Sequence, residues 1–182
     1  MKEIRCFVNK DKETEYINKK CRKGYALSKV GLVAGEIIPL SVYTFEKCKP
    51  DEFEYKICMM PGKEDDALYA YAEQIKPTGA KLIALREKCL YFRNNGKFII
   101  PLEGTDNVNK AKYYRIKGKK SFMTAGFCFA FLLVNAGLLL SGISGSPVLA
   151  AITAGLACCI GLAHALIALG SVNNAKKNEA IE

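Results

Sequence analysis

Residues 121–171 read SFMTAGFCFAFLLVNAGLLLSGISGSPVLAAITAGLACCIGLAHALIALGS and contain no Asp, Glu, Lys or Arg. Two apolar runs lie within them, 19 residues from 122 to 140 and 22 residues from 148 to 169. Because a helix rises about 1.5 Å per residue, each run can cross a hydrocarbon core of about 30 Å. Gly142, Gly145 and Pro147 lie between the runs and favour a turn. The sequence therefore predicts a transmembrane helical hairpin.

Positive charge determines the predicted orientation of this hairpin. Residues 1–120 hold 25 of the 27 basic residues, whereas the turn between the spans holds none. The positive-inside rule then places both termini in the cytoplasm of a multi-pass cell-membrane protein. We expect a soluble domain over 1–118, the hairpin over 119–171 and a polar tail over 172–182. The residues predicted to face lipid headgroups crowd the entrance to the first span: Lys110, Lys112, Arg115, Lys117, Lys119 and Lys120.

Two polar side chains lie within the predicted spans, Asn135 and His164, the only histidine. Polar groups at membrane depth invite a functional hypothesis. Asn135 lies near the outer end of its span and His164 nearer the inner end of the other, so the two do not pair. His164 either bonds a helix backbone or neighbour as a neutral ring, or serves as a proton relay or ligand.

Small residues recur at every fourth position of the second span. Such rows let helix backbones approach closely. They can serve the hairpin alone, but two rows on one helix leave room for homo-oligomerisation through the second span. One row is Ala151, Gly155, Cys159 and Ala163, and the other is Ala157, Gly161 and Ala165.

The first 118 residues predict an α+β fold. Strand and helix patterns alternate along the chain, with helices over about 11–22 and 64–75 and a strand-rich stretch over 25–59. Asn94-Asn95-Gly96 predicts a hairpin between strands at 89–93 and 98–101. This order favours a mostly antiparallel sheet with two helices, for which a ferredoxin-like arrangement is one option.

Several phrases of the soluble region resemble a bacterial domain of unknown function, number 2812 in its series. They are KGYAL at 23–27, YTFEKCKPDEFEY at 43–55 and LYFR at 90–93. The resemblance implies a soluble domain followed by membrane helices, often encoded beside a PadR-type regulator. It implies no catalytic residues. The chain departs from the family pattern at Cys89, where an aromatic is expected, and around 31–39.

Catalytic and metal-binding patterns are missing from the sequence. The soluble region has no histidine, and the chain has no CxxC, HExxH or GxxxxGK[ST] pattern. Consecutive carboxylates at 64–66 fall on different sides of a helix, as expected for a solvated first turn. The eight cysteines are expected to be free thiols in a reducing compartment. We therefore expect no enzyme activity, no metal and no cofactor.

Nucleic acid is a poor candidate partner, because the membrane already explains the basic cluster at 110–120. We expect instead a membrane-anchored binding or regulatory module, with a PadR-type regulator as the first candidate partner. The predicted contact surface is a sheet edge or face around Tyr43, Phe45 and Tyr55. The alternative is a structural accessory subunit of a larger membrane assembly. The two differ in whether the soluble domain or the hairpin retains the partner.

Overall fold

The computed structural model describes residues 1–32, 40–98, 101–142 and 146–181. It divides into two compact units, Met1–Tyr113 with Asn174–Glu182, and Tyr114–Asn173. The elements, in chain order, are β1 (Lys2–Arg5), α1 (Lys10–Arg22), β2 (Tyr25–Leu32), β3 (Ser41–Lys47), β4 (Phe53–Met59), α2 (Asp65–Ile75), a 3-10 turn (Lys76–Thr78), β5 (Lys81–Arg86), β6 (Cys89–Asn95), α3 (Asn107–Leu140) and α4 (Pro147–Glu179).

The first unit is α+β, which confirms the predicted class. Its strands form two three-stranded antiparallel sheets, ordered β1-β3-β2 and β4-β6-β5. Each sheet comes from one βαββ segment, so the chain uses the same topology twice. The single four-stranded sheet of a ferredoxin-like fold does not occur in the described residues.

The repetition extends to the backbone detail of each sheet. Leu27 pairs with Phe45 just before a bulge in β2, and Leu82 pairs with Phe92 just before a bulge in β5. A glycine ends each helical segment: Gly24 has a φ of 80° and Gly79 a φ of 89°. Both angles lie in the left-handed region that favours glycine. The two segments therefore enter their second strands in the same way.

Helix α1 begins at a well-formed cap. Asn9 Oδ1 accepts the amide protons of Asp11 and Lys12 at 2.8 and 3.0 Å. Halfway along the helix, the Asn18 side chain accepts from the Tyr55 N–H at 2.8 Å and donates to its carbonyl at 3.0 Å. Asn18 thus mimics a neighbouring strand and covers the edge of β4.

The observed hairpin turn joins β5 to β6, whereas the sequence predicted one after β6, at Asn94-Asn95-Gly96. The turn is Glu87-Lys88, whose φ values of 49° and 60° match a two-residue hairpin turn. Asn94 and Asn95 instead continue β6, because they pair with Glu54 and Phe53 across the sheet. Sheet pairing thus overrides the local turn preference of asparagine and glycine. The predicted strand at 98–101 lies partly outside the described residues.

Strand β1 is attached to α1 through one carboxylate. Glu3 accepts from Tyr16 Oη at 2.5 Å and pairs with Lys20 and, at 3.5 Å, with Arg5. The hydrogen bond from Lys20, with that from Tyr16, lowers the pKa of Glu3 to about 2 from an ordinary value of 4.5. Burial is the main cause that raises the pKa of Tyr16 to about 12, and the hydrogen bond to the Glu3 carboxylate adds to it.

A pH dependence of stability follows from this low pKa. Because the folded-state pKa of Glu3 is depressed, its stabilising contribution is complete above pH 4.5 and is lost as the pH falls towards 2. We expect Glu3→Gln to lower the unfolding midpoint at pH 6, with a difference from wild type that shrinks between pH 4.5 and 2. Denaturant titrations of the full chain in detergent measure this difference. A gap that stayed constant down to pH 2 would contradict the assignment.

The second unit holds parts of the two long helices, α3 and α4. Both are long and apolar enough to cross a membrane, and their most apolar windows are 0% and 17% buried in the structure. Large side chains such as Phe122, Phe127 and Leu140 are exposed by 73%, 73% and 90%. Soluble proteins bury such stretches, so these surfaces suit a lipid environment.

The helices of the hairpin approach closely at one of the predicted glycines. A Cβ at Gly161 would lie 3.1 Å from Cys128 Cβ, whereas a Cβ at Gly155 would meet nothing within 4 Å. Ala165 is half-buried, whereas Ala151, Gly155 and Cys159 are exposed. Of the two rows of small residues, therefore, the one with Gly161 faces α3 and the one with Gly155 does not.

These two glycines provide a matched pair of variants. We expect Gly161→Ile to weaken helix packing by about 1–2 kcal/mol, on the scale of membrane helix contacts. Gly155→Ile, the same change six residues earlier on α4, should leave the hairpin intact. The measurement is unfolding of the full chain in mixed detergent micelles. Equal effects of the two substitutions would contradict the assigned helix interface.

Candidate functional site

A buried polar cluster lies between α1 and both sheets. Lys10 and Glu13 occupy the inward face of α1, and Tyr43 and Tyr91 come from the central strands β3 and β6. Their exposed fractions are 5%, 0%, 0% and 1% in that order. The four side chains are therefore almost completely removed from solvent.

Hydrogen bonds join these four groups into one network. Lys10 Nζ lies 2.7 Å from Glu13 Oε2 and donates to Tyr91 Oη at 2.9 Å. Tyr43 and Tyr91 both donate to Glu13 Oε1, at 2.6 and 2.7 Å. One carboxylate oxygen thus ties a strand of each sheet to α1. Buried charges persist in proteins when they are paired and hydrogen-bonded in this way.

The electrostatics of the cluster favour its present protonation. Burial, and then the Glu13 carboxylate, raise the pKa of Tyr43 well above its usual value. Burial likewise raises the pKa of Tyr91. For Lys10, burial opposes the charged form, but the oxygens of Tyr91 and Glu13 outweigh it and raise its pKa. Both tyrosines therefore remain neutral donors at physiological pH, and Lys10 remains a cation.

The cluster lacks the access that a reacting site needs. A substrate would have to displace α1 to reach any of its four side chains, since none exceeds 5% exposure. Its geometry joins secondary-structure elements and holds their register. In the part of the chain that the structure describes, no group of three His, Cys, Asp or Glu side chains is arranged to bind a metal ion.

Beside the same helix lies an open groove of about 580 Å³. One wall is the outward face of α1, and the other is formed by the start of β4 and the residues after β6. Four carboxylates and two cationic groups line it, so the groove is acidic in a chain whose net charge is +9. The lining residues are Asp11, Thr14, Glu15, Asn18, Arg22, Asp51, Phe53, Glu54, Gly96 and Lys97.

Some of these groups already have partners, and others are available. Asp11 pairs with Lys110 at 2.7 Å, and Glu54 accepts the Phe98 N–H at 2.7 Å. Glu15 and Asp51 are exposed, and their carboxylates form no hydrogen bond or ion pair with any described residue. The groove therefore presents carboxylates that an incoming cationic group can reach.

The residues predicted to contact a partner lie elsewhere than expected. Tyr43, Phe45 and Tyr55 are 0%, 1% and 2% exposed, and β3 is the central strand of its sheet. Tyr55 Oη accepts the Leu27 N–H at 2.9 Å inside the core. The three aromatic side chains face the core, so they do not form the predicted docking surface.

The predicted headgroup-facing residues lie on α3 near its start. Lys112, Arg115, Lys119 and Lys120 are exposed, whereas Lys110 and Lys117 are half-buried. Lys110 forms an ion pair with Asp11 of α1. Further along α3, Asn135 Nδ2 donates to the Phe131 carbonyl one turn earlier at 2.8 Å, and on α4 His164 is 8% exposed.

The Lys10–Glu13 cluster was not predicted from the sequence, although the spacing of its residues carries a signal. Lys10, Glu13, Ile17 and Cys21 follow helical spacing, and Ile17 and Cys21 are apolar. That spacing places the ion pair on the buried face of α1. The groove had no comparable signal, since its walls come from segments about 40 and 80 residues apart along the chain.

Comparison with known proteins gives one match. Residues 9–125, well over half of the chain, match the family described as Protein of unknown function (DUF2812). No curated protein and no solved structure matches the chain significantly. The matched region contains α1, α2, strands β2 to β6 and the start of α3, and so includes the cluster and the groove, whereas β1 precedes it. The chain therefore belongs to the DUF2812 family of proteins of unknown function.

Proposed function

We propose that this chain is a membrane-anchored binding module that holds a cytoplasmic partner on its soluble domain and catalyses no reaction. The observation that carries the proposal is the contrast beside α1. The ionisable cluster is sealed, whereas the adjoining groove is open and charged. A sealed cluster is closed to ligands, whereas an open groove is accessible to a partner.

The groove specifies the chemistry of the partner surface. Carboxylates outnumber cationic groups there, and Phe53 adds an aromatic surface on which Arg93 stacks, with its guanidinium carbon 4.3 Å from the ring centroid. A basic protein segment with an apolar residue fits this combination. The regulatory neighbourhood implied by the family resemblance makes a PadR-type regulator the first candidate.

In this proposal the transmembrane anchor localises the domain at the membrane and makes no contact with the partner. Confinement to the bilayer raises the effective concentration of the domain near other membrane-bound molecules. The exposed basic residues of α3 suit anionic lipid headgroups, each contributing about 1 kcal/mol near the surface. Both termini would then be cytoplasmic, as the positive-inside rule requires.

Binding can be tested with the full-length chain in mild detergent, titrated with the candidate regulator by calorimetry. We expect Glu15→Lys and Asp51→Lys each to weaken binding about tenfold, since each reverses a charge in the groove. Asp66→Lys makes the same change on the exposed first turn of α2 and should have no effect. If all three variants bind equally, the groove is not the docking surface.

Orientation is tested separately by thiol labelling in intact cells. Ser144 belongs to the predicted outer turn and lies outside the described residues, whereas Cys48 belongs to the soluble domain. We expect Ser144→Cys to react with an impermeant reagent and Cys48 to be protected. Labelling of Cys48 from outside would reverse the proposed topology.

One observation favours the accessory-subunit alternative. The row Ala151, Gly155 and Cys159 is exposed in the hairpin and is shaped for close approach of another helix. Affinity capture of the full chain distinguishes the two functions. A binding module loses its partner on Asp51→Lys, whereas an accessory subunit loses it on Gly155→Ile.

A further inference from the structure

The first strand has an edge that the described residues leave open. In the sheet order β1-β3-β2, β1 pairs only with β3. By contrast, Asn18 covers the edge of β4, the corresponding first strand of the other sheet. Ile4 is 58% exposed at this open edge, although isoleucine usually packs inside a sheet protein.

Hydrogen bonding within the sheet fixes which groups of β1 point outwards. The backbones of Met1 and Phe45 exchange two hydrogen bonds, each of 2.7 Å. In an antiparallel ladder the bonded pairs recur at every second residue, so Glu3 and Arg5 also direct their backbone groups towards β3. The N–H and C=O groups of Lys2 and Ile4 therefore face away from the sheet.

From this geometry we propose that β1 pairs with β1 of a second copy of the chain, antiparallel and centred on Ile4. Symmetry about Ile4 matches one outward-facing residue with another, and the two isoleucines exchange both backbone hydrogen bonds. Glu3 of one copy then lies opposite Arg5 of the other. Opposite charges at directly facing positions stabilise a strand pair.

The other symmetric registers of the β1–β1 pair are unfavourable, and for three of them the reason is that like charges would face each other. Symmetry about Lys2, Glu3 or Arg5 would place each of these residues opposite its own copy, and facing like charges destabilise a sheet. Symmetry between two residues would match an outward-facing group with an inward-facing one. Charges at a sheet edge usually prevent pairing, but in the register centred on Ile4 they are complementary.

Glu3 and Arg5 are already arranged on one face of β1. Both side chains lie beside Tyr16: Glu3 accepts its hydroxyl proton, and the Arg5 guanidinium carbon is 5.6 Å from its ring centroid. The Arg5 side chain remains 55% exposed. It can therefore reach the Glu3 carboxylate of a second copy without leaving its own strand.

A cross-linking experiment in membranes tests this pairing. The full chain is expressed as Ile4→Cys with Cys6→Ser, and its membranes are treated with a mild thiol oxidant. Bonded antiparallel residues have Cα atoms about 5.5 Å apart, a distance that a disulfide can span. We expect a covalent dimer to form at least about tenfold faster than with Tyr69→Cys in the same background, whose site on α2 is 53% exposed.

The charge pairing is tested in the same background. Adding Arg5→Glu places two carboxylates opposite each other and should slow cross-linking severalfold, whereas Arg5→Gln should have an intermediate effect. Lys47→Glu, the same charge reversal at an exposed position of β3, should leave the rate unchanged. Melting temperatures in detergent identify any variant whose fold is lost.

Two outcomes would overturn the proposal. Cross-linking of Ile4→Cys no faster than that of Tyr69→Cys would mean that the edge is unoccupied or covered by another molecule. Rapid cross-linking unaffected by Arg5→Glu would exclude the register. A dimer formed through the second span would respond to Gly155→Ile instead, so the two modes of association are distinguishable. Neither outcome bears on partner binding in the groove.

Discussion

Lys10→Met is expected to destabilise the soluble domain by about 3–5 kcal/mol, the cost of removing one partner from a buried ion pair. Methionine fills a similar volume but donates no hydrogen bond. Glu13 would then remain buried, hydrogen-bonded by the hydroxyl groups of Tyr43 and Tyr91 but without the Lys10 cation. Because Glu13 joins α1 to both sheets, we expect the loss to affect the domain as a whole.

Hydrogen exchange of the full chain in detergent, followed by mass spectrometry, measures this effect. Protection of β3 and β6 should decrease together, since both tyrosines bond the same carboxylate oxygen. Lys76→Met provides the control. Lys76 and Glu73 form an ion pair with the same spacing of three residues, 3.0 Å apart, but are 68% and 72% exposed. Such a surface pair contributes little. Equal effects of the two substitutions would show that the buried network is not a stabilising centre.

Gly104→Ala is expected to be the most disruptive glycine substitution in the soluble domain, at about 3 kcal/mol or more. Gly104 has a φ of 78°, which an L-residue adopts only at a cost. A Cβ there would also lie 2.5 Å from the Met59 carbonyl oxygen and 2.9 Å from its nitrogen. Both neighbours are backbone atoms at the end of β4, so a side-chain rotation cannot relieve the clash.

The contact serves a specific purpose. The Met59 N–H donates to the Gly104 carbonyl at 2.8 Å, which attaches the segment before α3 to the sheet. Gly96→Ala is the matched control, because Gly96 has a similar φ of 77° but open space around its Cβ position. We expect about 1–2 kcal/mol there from the backbone alone. Guanidinium unfolding of both variants in detergent measures the difference. If the two costs are equal, the close approach to Met59 contributes nothing.

Substitution of Gly104 should also affect the first residues of α3, which contact the rest of the first unit. Lys110 contacts Asp11 at 2.7 Å, and Tyr113 donates to Glu87 at 3.2 Å. At the other end of the chain, Asn174 accepts from Asn9, the cap of α1, at 2.9 Å. Residues 174–181 thus belong to the same compact unit as α1 and the sheets, so experiments on partner binding require the full chain.

Local and near-local patterns were sufficient for some of these features. The chargeless stretch 121–171 predicts two long apolar helices because lipid leaves the backbone few alternatives. Capping and apolar spacing predict α1 and α2 within a residue of their observed bounds. Alternation predicts β3 and β4, but it does not show whether an aromatic face meets solvent or core, which is why Tyr43, Phe45 and Tyr55 were assigned to a surface.

By itself, the sequence determined the α+β class, the two long apolar helices and the family, since each depends on periodicity, composition or a matched motif within a short span. Only the tertiary structure decided that the strands form two βαββ segments, that Asn94 and Asn95 continue a strand, and that Lys10 and Glu13 are buried. These outcomes depend on pairing between residues up to about 80 positions apart, such as Glu13 with Tyr91. Such contacts are selected by the free energy of the whole packed core, in which a satisfied buried charge or a continued sheet outweighs the preference of any local segment.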